Sequence, residues 1–216
     1  MVWVNCAASL DGRIAFAGGA RARLSSPEDL ERVHQLRSEV DGIVVGVGTV
    51  VLDDPSLRVH WELLRRSPGP GPHRIVLDSH GRTPPHARVL DGSAPTIVAT
   101  ASRCGRTFPP HVRTIVAGED RVDLDRLFVE LRRLGLRRLL VEGGAAVLAS
   151  VARAGLFDRW TVYYAPLVIG GSTAPPMVAG PETAGLDGTV RLRLTDVRAL
   201  GEGFVASYVP APAAPA

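Results

Sequence analysis

The sequence predicts an α/β fold: a mixed, mostly parallel sheet flanked by helices, with antiparallel strands at its C-terminal end. Three observations predict it. Apolar runs of strand length alternate with segments of helical period as far as Ala154. One of those runs, Gly42–Val47, is unbroken, as a parallel strand covered on both faces requires. From Arg159 onward the strand-like runs follow one another without helices, the pattern of an antiparallel portion.

The first strand is read at Val2–Ala8, rich in small and β-branched residues, and Ser9-Leu10-Asp11-Gly12 turns the chain. Ser25-Ser26-Pro27-Glu28 supplies a hydroxyl cap, a proline in the first turn and a carboxylate just inside, so a helix starts there. It is expected to run to about Val40, with Leu30, Val33, Leu36 and Val40 as its buried stripe. After Gly42–Val47 comes a short helical turn, Thr49–Asp53. Residues 66–73, RSPGPGPH, form a Pro/Gly loop inside the domain, because strand-like Arg74–Asp78 resumes at once. Further strands are expected at Thr96–Thr100, Arg113–Ala117 and Arg138–Val141, and helices at Leu124–Leu134 and Ala145–Ala154. Arg159–Ala165, Val190–Ala199 and Phe204–Val209 are the closing strands. One domain over residues 1–209 is expected, followed by a Pro/Ala tail, 210–216, with nothing to pack.

Composition narrows the function classes. Hydrophobic residues make up 45% and charged residues 22% of the 216, an ordinary soluble balance. The apolar stretches are too short to span a bilayer, and the N-terminal stretch lacks the basic start of a signal peptide. A cytoplasmic protein is the simplest expectation. Cys6 and Cys104 form no CxxC, and His34, His60, His73, His80, His86 and His111 show no ligand spacing, so no metal is expected. The net charge of +3 comes from scattered arginines without interleaved aromatics. That fits an anionic small substrate at least as well as nucleic acid.

Four segments carry candidate chemistry. In Leu139–Ala146, LLVEGGAA, an apolar strand ends in Glu142, Gly143 and Gly144 and a small-residue helix begins. Backbone N–H groups at such a start bind phosphate, and glycines let a diphosphate approach; a plain left-handed turn with a solvated Glu142 is the alternative. Val44–Pro55 contains GxG without the third glycine of a dinucleotide fingerprint. Thr49 and Asp53, four apart, share one helix face, and Asp53 and Asp54 are adjacent carboxylates. Arg37 lies beside the expected stripe of its helix, where a guanidinium wants an anion. That anion is a substrate phosphate or a structural partner such as Asp41 or Asp53. Finally, Ser79, His80 and Arg82 follow a strand and suit a 2′-phosphate, the group that separates NADPH from NADH, unless they are only a capped loop. No HxE–PCxxC deaminase signature and no GxSxG elbow occurs.

Taken together, these segments resemble one family over nearly the whole chain: the stand-alone archaeal-type 2,5-diamino-6-ribosylamino-pyrimidinone 5′-phosphate reductases. These are relatives of the reductase half of the bacterial bifunctional deaminase/reductase, with a dihydrofolate-reductase-like fold. The matching stretches are Ser9–Ala15, Asp29–Asp41 with its Arg32-Val33-His34-x-x-Arg37 core, Asp41–Val50 and Asp53-Asp54-Pro55-x-Leu57-x-Val59-His60. They continue with Arg74–Ser79, Glu142-Gly143-Gly144, Ala165-Pro166-x-x-Ile169-Gly170-Gly171 and Leu200-Gly201-Glu202-Gly203.

The resemblance implies NADPH-dependent reduction, with NADH as the alternative, of a ribosylamino group in riboflavin biosynthesis. It implies a cofactor site at Thr49, Asp53, Ser79 and the turn Gly143, Gly144, Ala145, Ala146, Val147, Leu148, to which His80, Arg82 and Thr100 are added as candidates. Substrate contacts are implied at Arg37, Leu57, His60 and Glu142, with Asn5 and Ser9 bordering the pocket. Asp53 and Glu142 are the candidates for the polar catalytic role. Ala145 departs from the pattern, standing where a third glycine is often found, and Arg21 and Arg23 occupy a loop where bacterial relatives carry serine and tryptophan. The rival substrates are the deaminated uracil and a dihydrofolate-like pteridine, and the rival from another class is a non-catalytic nucleotide-binding protein. A homodimer is expected through the C-terminal strands, where Trp160, Val162 and Tyr164 share one face.

Overall fold

Ile43, Val44 and Val45 are shielded on both faces of β2 (Gly42–Gly46), as the unbroken apolar run predicts. The computed structural model describes residues 1–181, 185 and 188–212. Their contacts group into two units, one built from residues 1–30 and 145–216, the other from residues 31–144.

Within residues 31–144, the elements following β2 are α2 (Val47–Asp53), β3 (His73–Leu77), β4 (Thr96–Thr100), β5 (Val112–Val116), α3 (Leu124–Arg133) and β6 (Leu139–Gly143). The strands lie in the order β5-β4-β3-β2-β6, and every pair is parallel. Helix α3 is capped by Asp123, whose side chain accepts from the Arg126 N–H, and buries Leu124, Leu127, Phe128 and Leu131 at helical spacing. Each such side chain contributes about 1.5–3 kcal/mol by leaving water. Arg138 pairs with Asp41, which also accepts the N–H groups of residues 137 and 138.

The other unit contains β1 (Val2–Ser9), α4 (Ala145–Arg153), β7 (Arg159–Ala165), β8 (Leu192–Leu200) and β9 (Gly203–Pro210). β1 and β7 are parallel, while β7-β9 and β9-β8 are antiparallel. The fold is therefore α/β, mostly parallel, with antiparallel C-terminal strands. After β1 the chain turns at Ser9–Gly12, and the Asp11 carboxylate accepts the Ser9 hydroxyl and the N–H groups of Ile169 and Gly170. Those bonds, the Ser9 hydroxyl first, lower the Asp11 pKa to about 2.

Three expectations are corrected. Helix α1 (Pro27–Ser38) does begin at the Ser26 cap, whose hydroxyl accepts the Asp29 N–H. Its buried positions, however, include Asp29 and His34, while Leu30 is 46% exposed. Polar groups with hydrogen-bond partners tolerate burial, so α1 turns polar residues inward while Val33 and Leu36 are half-buried; Val40 is buried just beyond its end.

In the C-terminal strands, β7 is an inner strand covered on both faces: Trp160 and Val162 are as buried as Tyr163. Ala149, Ala152 and Arg153 of α4 join Trp160, Val162 and Tyr164 around a cavity of about 580 Å³, so this face is not left bare. The bare strand is β8, exposed along its length.

The expected unpacked tail is in part structured. Pro210 ends β9 opposite Leu192, and the Ala211 N–H donates to the Arg191 carbonyl. Residues 213–216 lie outside the described residues.

Candidate functional site

Glu142 owes its position to a bulge. β6 pairs with β2 as Val44 with Val141 and then Val45 with Gly143, so Glu142 is an extra residue with no partner on β2. Bulges re-aim side chains at strand ends, and here the carboxylate meets Arg37 in a fork. Arg37 Nε donates to Oε1 at 2.7 Å and Nη2 to Oε2 at 2.6 Å, while Nη1 donates to the Arg58 carbonyl at 3.1 Å. The side chains retain 15% and 10% of their surface. The Arg37 partner is thus neither Asp41 nor Asp53 but another of the predicted site residues.

The two glycines after Glu142 differ in what they need. Gly143 has φ 119°, a conformation that favours glycine, and a Cβ there would meet nothing within 4 Å. A Cβ on Gly144 would lie 3.1 Å from Thr49 Oγ1, so the hydroxyl on α2 packs against this turn. The Gly143–Gly144 peptide is cis. Ala145, Ala146, Val147 and Leu148 form the first turn of α4, with Ala146 exposed and Leu148 buried. Asp53, last in α2, is exposed; Asp54 is left-handed and accepts the Arg88 N–H.

Beside Arg37 stand two histidines. The His34 and His60 rings lie 4.6 Å apart, and the His60 N–H donates to His34 Nδ1 at 3.2 Å. Burial first, then the Arg37 charge and His60, push the His34 pKa down to about 4, against Glu142. Leu57 is buried with φ 51°.

The loops after β3, β4 and β5 are knitted together. Asp78 is buried and accepts the N–H groups of Arg82 and Thr83 and the Thr83 hydroxyl. Ser79 Oγ accepts the Val122 N–H, and the Ala101 N–H donates to the Ser79 carbonyl. Gly81 has φ 71°, and Arg106 donates to its carbonyl. His80 and Arg82 are exposed on this turn, and Thr100 is buried at the end of β4.

The structure therefore links Glu142 through Arg37 to the Arg58 carbonyl, in the segment that carries Leu57 and His60, and sets Thr49 against Gly144. Ser79, His80 and Arg82 share a braced turn. Asn5 and Ser9 belong to the other unit, both on β1 and buried; the Ser9 hydroxyl donates to Asp11 and accepts from the Arg13 N–H. Sequence reasoning quoted His34 in the motif around Arg37 but gave it no role in the site; its place three residues before Arg37, on the same helix face, was the available signal. Among the described residues no group of three or more His, Cys, Asp or Glu could hold a metal ion. None of the helices there is long and apolar enough to cross a membrane.

A model of the RibD C-terminal domain matches residues 1–206. The chain is 40% identical to the 2,5-diamino-6-ribosylamino-4(3H)-pyrimidinone 5′-phosphate reductase of Methanothermobacter thermautotrophicus, over 96% of each chain. It is 39% identical to the protein of the same name from Archaeoglobus fulgidus, over 94% of each. Among solved structures, it is similar to a Thermotoga maritima diaminohydroxyphosphoribosylaminopyrimidine deaminase/5-amino-6-(5-phosphoribosylamino)uracil reductase. The TM-score is 0.82 at 24% identity, covering 98% of this chain. The chain spans 56% of that protein, and the likeness shows a shared fold.

Proposed function

The chain belongs to the RibD C-terminal domain family, and from that premise we propose that it reduces a phosphoribosylamino-pyrimidinone to its ribitylamino form in riboflavin biosynthesis. The 2,5-diamino compound is the substrate and NADPH the reductant. The observation that carries this reading is the arrangement around Glu142 and the Gly143-Gly144 turn: a bulged carboxylate gripped by Arg37, with Thr49 packed on Gly144. The match over residues 1–206 supports treating residues 1–209 as one reductase domain.

The fit to a nicotinamide cofactor rests on that turn. The backbone N–H groups of the Gly143-Gly144 turn, where no side chain intervenes, are the ones a diphosphate would meet. Thr49, Asp53, Ser79, Thr100 and residues 143–148 would hold the cofactor, with His80 and Arg82 as exposed partners for a 2′-phosphate that NADH lacks. NADPH, when bound, supplies a hydride to C1′ of the substrate.

In the substrate, O4′ leaves C1′ and takes a proton while the amino nitrogen, keeping its hydrogen, forms a C1′=N iminium bond. Hydride addition at C1′ then leaves the ribitylamine, and no covalent nucleophile is required. Glu142 and Arg37, locked together, orient the substrate with Leu57 and His60. Asp53, an exposed carboxylate at the end of α2, is the candidate to pass the proton to O4′, with Glu142 as the other candidate for this role.

The name of the Thermotoga protein favours a second reading, in which the deaminated uracil is the substrate. Calorimetry of NADPH binding, followed by turnover with each pyrimidine, tests both. The expected result is cofactor binding alone without oxidation, and oxidation only when a phosphoribosylamino-pyrimidine is added. No cofactor binding would remove the catalytic reading, and faster reduction of dihydrofolate would remove the pathway.

The reading also carries a cytoplasmic homodimer. β8 supports the dimer: a bulge at Thr195 keeps Leu192, Leu194, Val197 and Ala199 opposite Pro210, Tyr208, Ala206 and Phe204, on one face. Leu194 and Val197 are more than half exposed on this edge, which a second copy would cover.

A further inference from the structure

Building on the reading that Leu57 and His60 meet the substrate, we propose that His34 is a positioning residue: with Arg37, one turn on along α1, its imidazole clips the backbone of residues 58–60 and fixes the pose of Leu57 and His60. Residues 54–60 belong to no helix or strand, so no ladder of backbone bonds holds them. Yet their backbone is placed tightly. Leu57 keeps a positive φ of 51°, a conformation that costs a branched side chain energy and persists only when its surroundings impose it. From there the segment alternates like a strand, Leu57 and Val59 buried, Arg58 and His60 exposed.

Helix α1 grips it as a neighbouring strand would. The Arg58 carbonyl accepts from Arg37 Nη1 at 3.1 Å, and two residues on the His60 N–H donates to His34 Nδ1 at 3.2 Å. A donor and an acceptor from one helix face thus take the place of a ladder rung. The clip is fixed in turn, because the other two nitrogens of Arg37 are held by Glu142. The His60 ring lies against His34, centroids 4.6 Å apart, so the same residue sets both the backbone and the ring of its neighbour.

This bond requires His34 Nδ1 to be unprotonated. The groups facing it are Arg37 on its own helix, His60 and the Arg58 carbonyl on the clipped segment, and Glu142 on β6. Burial, Arg37 and His60 together outweigh Glu142 and the carbonyl, so the imidazole stays an acceptor at neutral pH.

The test uses His34→Leu, which removes the acceptor, and His34→Asn, whose amide oxygen can replace it. His34→Leu should raise KM for the diamino substrate roughly tenfold, the worth of one lost hydrogen bond. It should leave kcat and KM for NADPH within about threefold, and His34→Asn should recover most of the loss. Equal rises in both KM values, or no recovery with asparagine, would overturn the proposal. Nitrogen NMR of the wild-type chain decides the matter should the leucine variant not fold. The proposal expects a bare Nδ1 and a protonated Nε2 from neutral pH down to about 5, and a protonated Nδ1 overturns it. If the wild-type chain turns over no pyrimidine, the substrate reading fails, while the NMR result still decides whether His34 holds residues 58–60.

Discussion

Arg74 has no exposed surface, and its guanidinium bonds to Thr96 Oγ1, Asp91 and the carbonyls of Arg88 and Ala94. Arg74→Ala should therefore cost about 3–5 kcal/mol in denaturant unfolding, since it strands those acceptors; a cost below about 1 kcal/mol would contradict the account.

The Arg37–Glu142 fork makes a comparable case. Arg37→Ala and Glu142→Ala should each cost about 2–4 kcal/mol, and the double variant should cost clearly less than their sum. His34 adds a pH dependence. Its pKa falls from 6.5 to about 4 on folding, so the unfolded chain takes up the proton first as pH drops. Its contribution to stability is full above 6.5, declines between 6.5 and 4, and should be missing from the His34→Asn curve. At this scale the sequence named Arg37 and Glu142 but not their pairing. They are 105 residues apart, and spacing along a chain cannot reveal a contact made by packing.

Element types and their order were readable, because strand length, helical period and the Ser26-Pro27 start are local signals. What was not readable is where an element faces. α1 carries its partners inward on polar residues, and Glu142 and Thr195 each sit at a bulge that shifts side-chain parity, which alternation alone cannot anticipate. The expected dimer face was drawn on β7 because Trp160, Val162 and Tyr164 alternate along it. Pairing with β1 and β9 makes it an inner strand, and the exposure passes to β8.

Leu194→Lys should thus leave a folded chain that no longer dimerises, with a light-scattering mass near 22.9 kDa where the wild type gives twice that. A wild-type mass of 22.9 kDa would reject the dimer. Val162→Asp, buried in an inner strand, should instead lower stability by several kcal/mol. Asp11→Asn should loosen the 169–170 loop, seen as faster amide exchange at Ile169 and Gly170. Unchanged exchange would show that the staple is idle.

At the scale of the whole molecule, the ordered run of motifs carried more than any single one. Short glycine motifs are weak, yet Ser9–Ala15, Asp53–His60 and Glu142–Gly144 in sequence agree with a family match over residues 1–206. The fold supplies strand ends, a glycine turn and a gripped carboxylate, and the chemistry follows from what those can orient. The most direct measurement is nicotinamide absorbance with purified protein and NADPH, adding in turn the diamino substrate, its deaminated counterpart and dihydrofolate. The account predicts stoichiometric NADPH oxidation with the diamino compound, fastest of the three, and a ribitylamino product. No oxidation with either phosphoribosylamino-pyrimidine would contradict it.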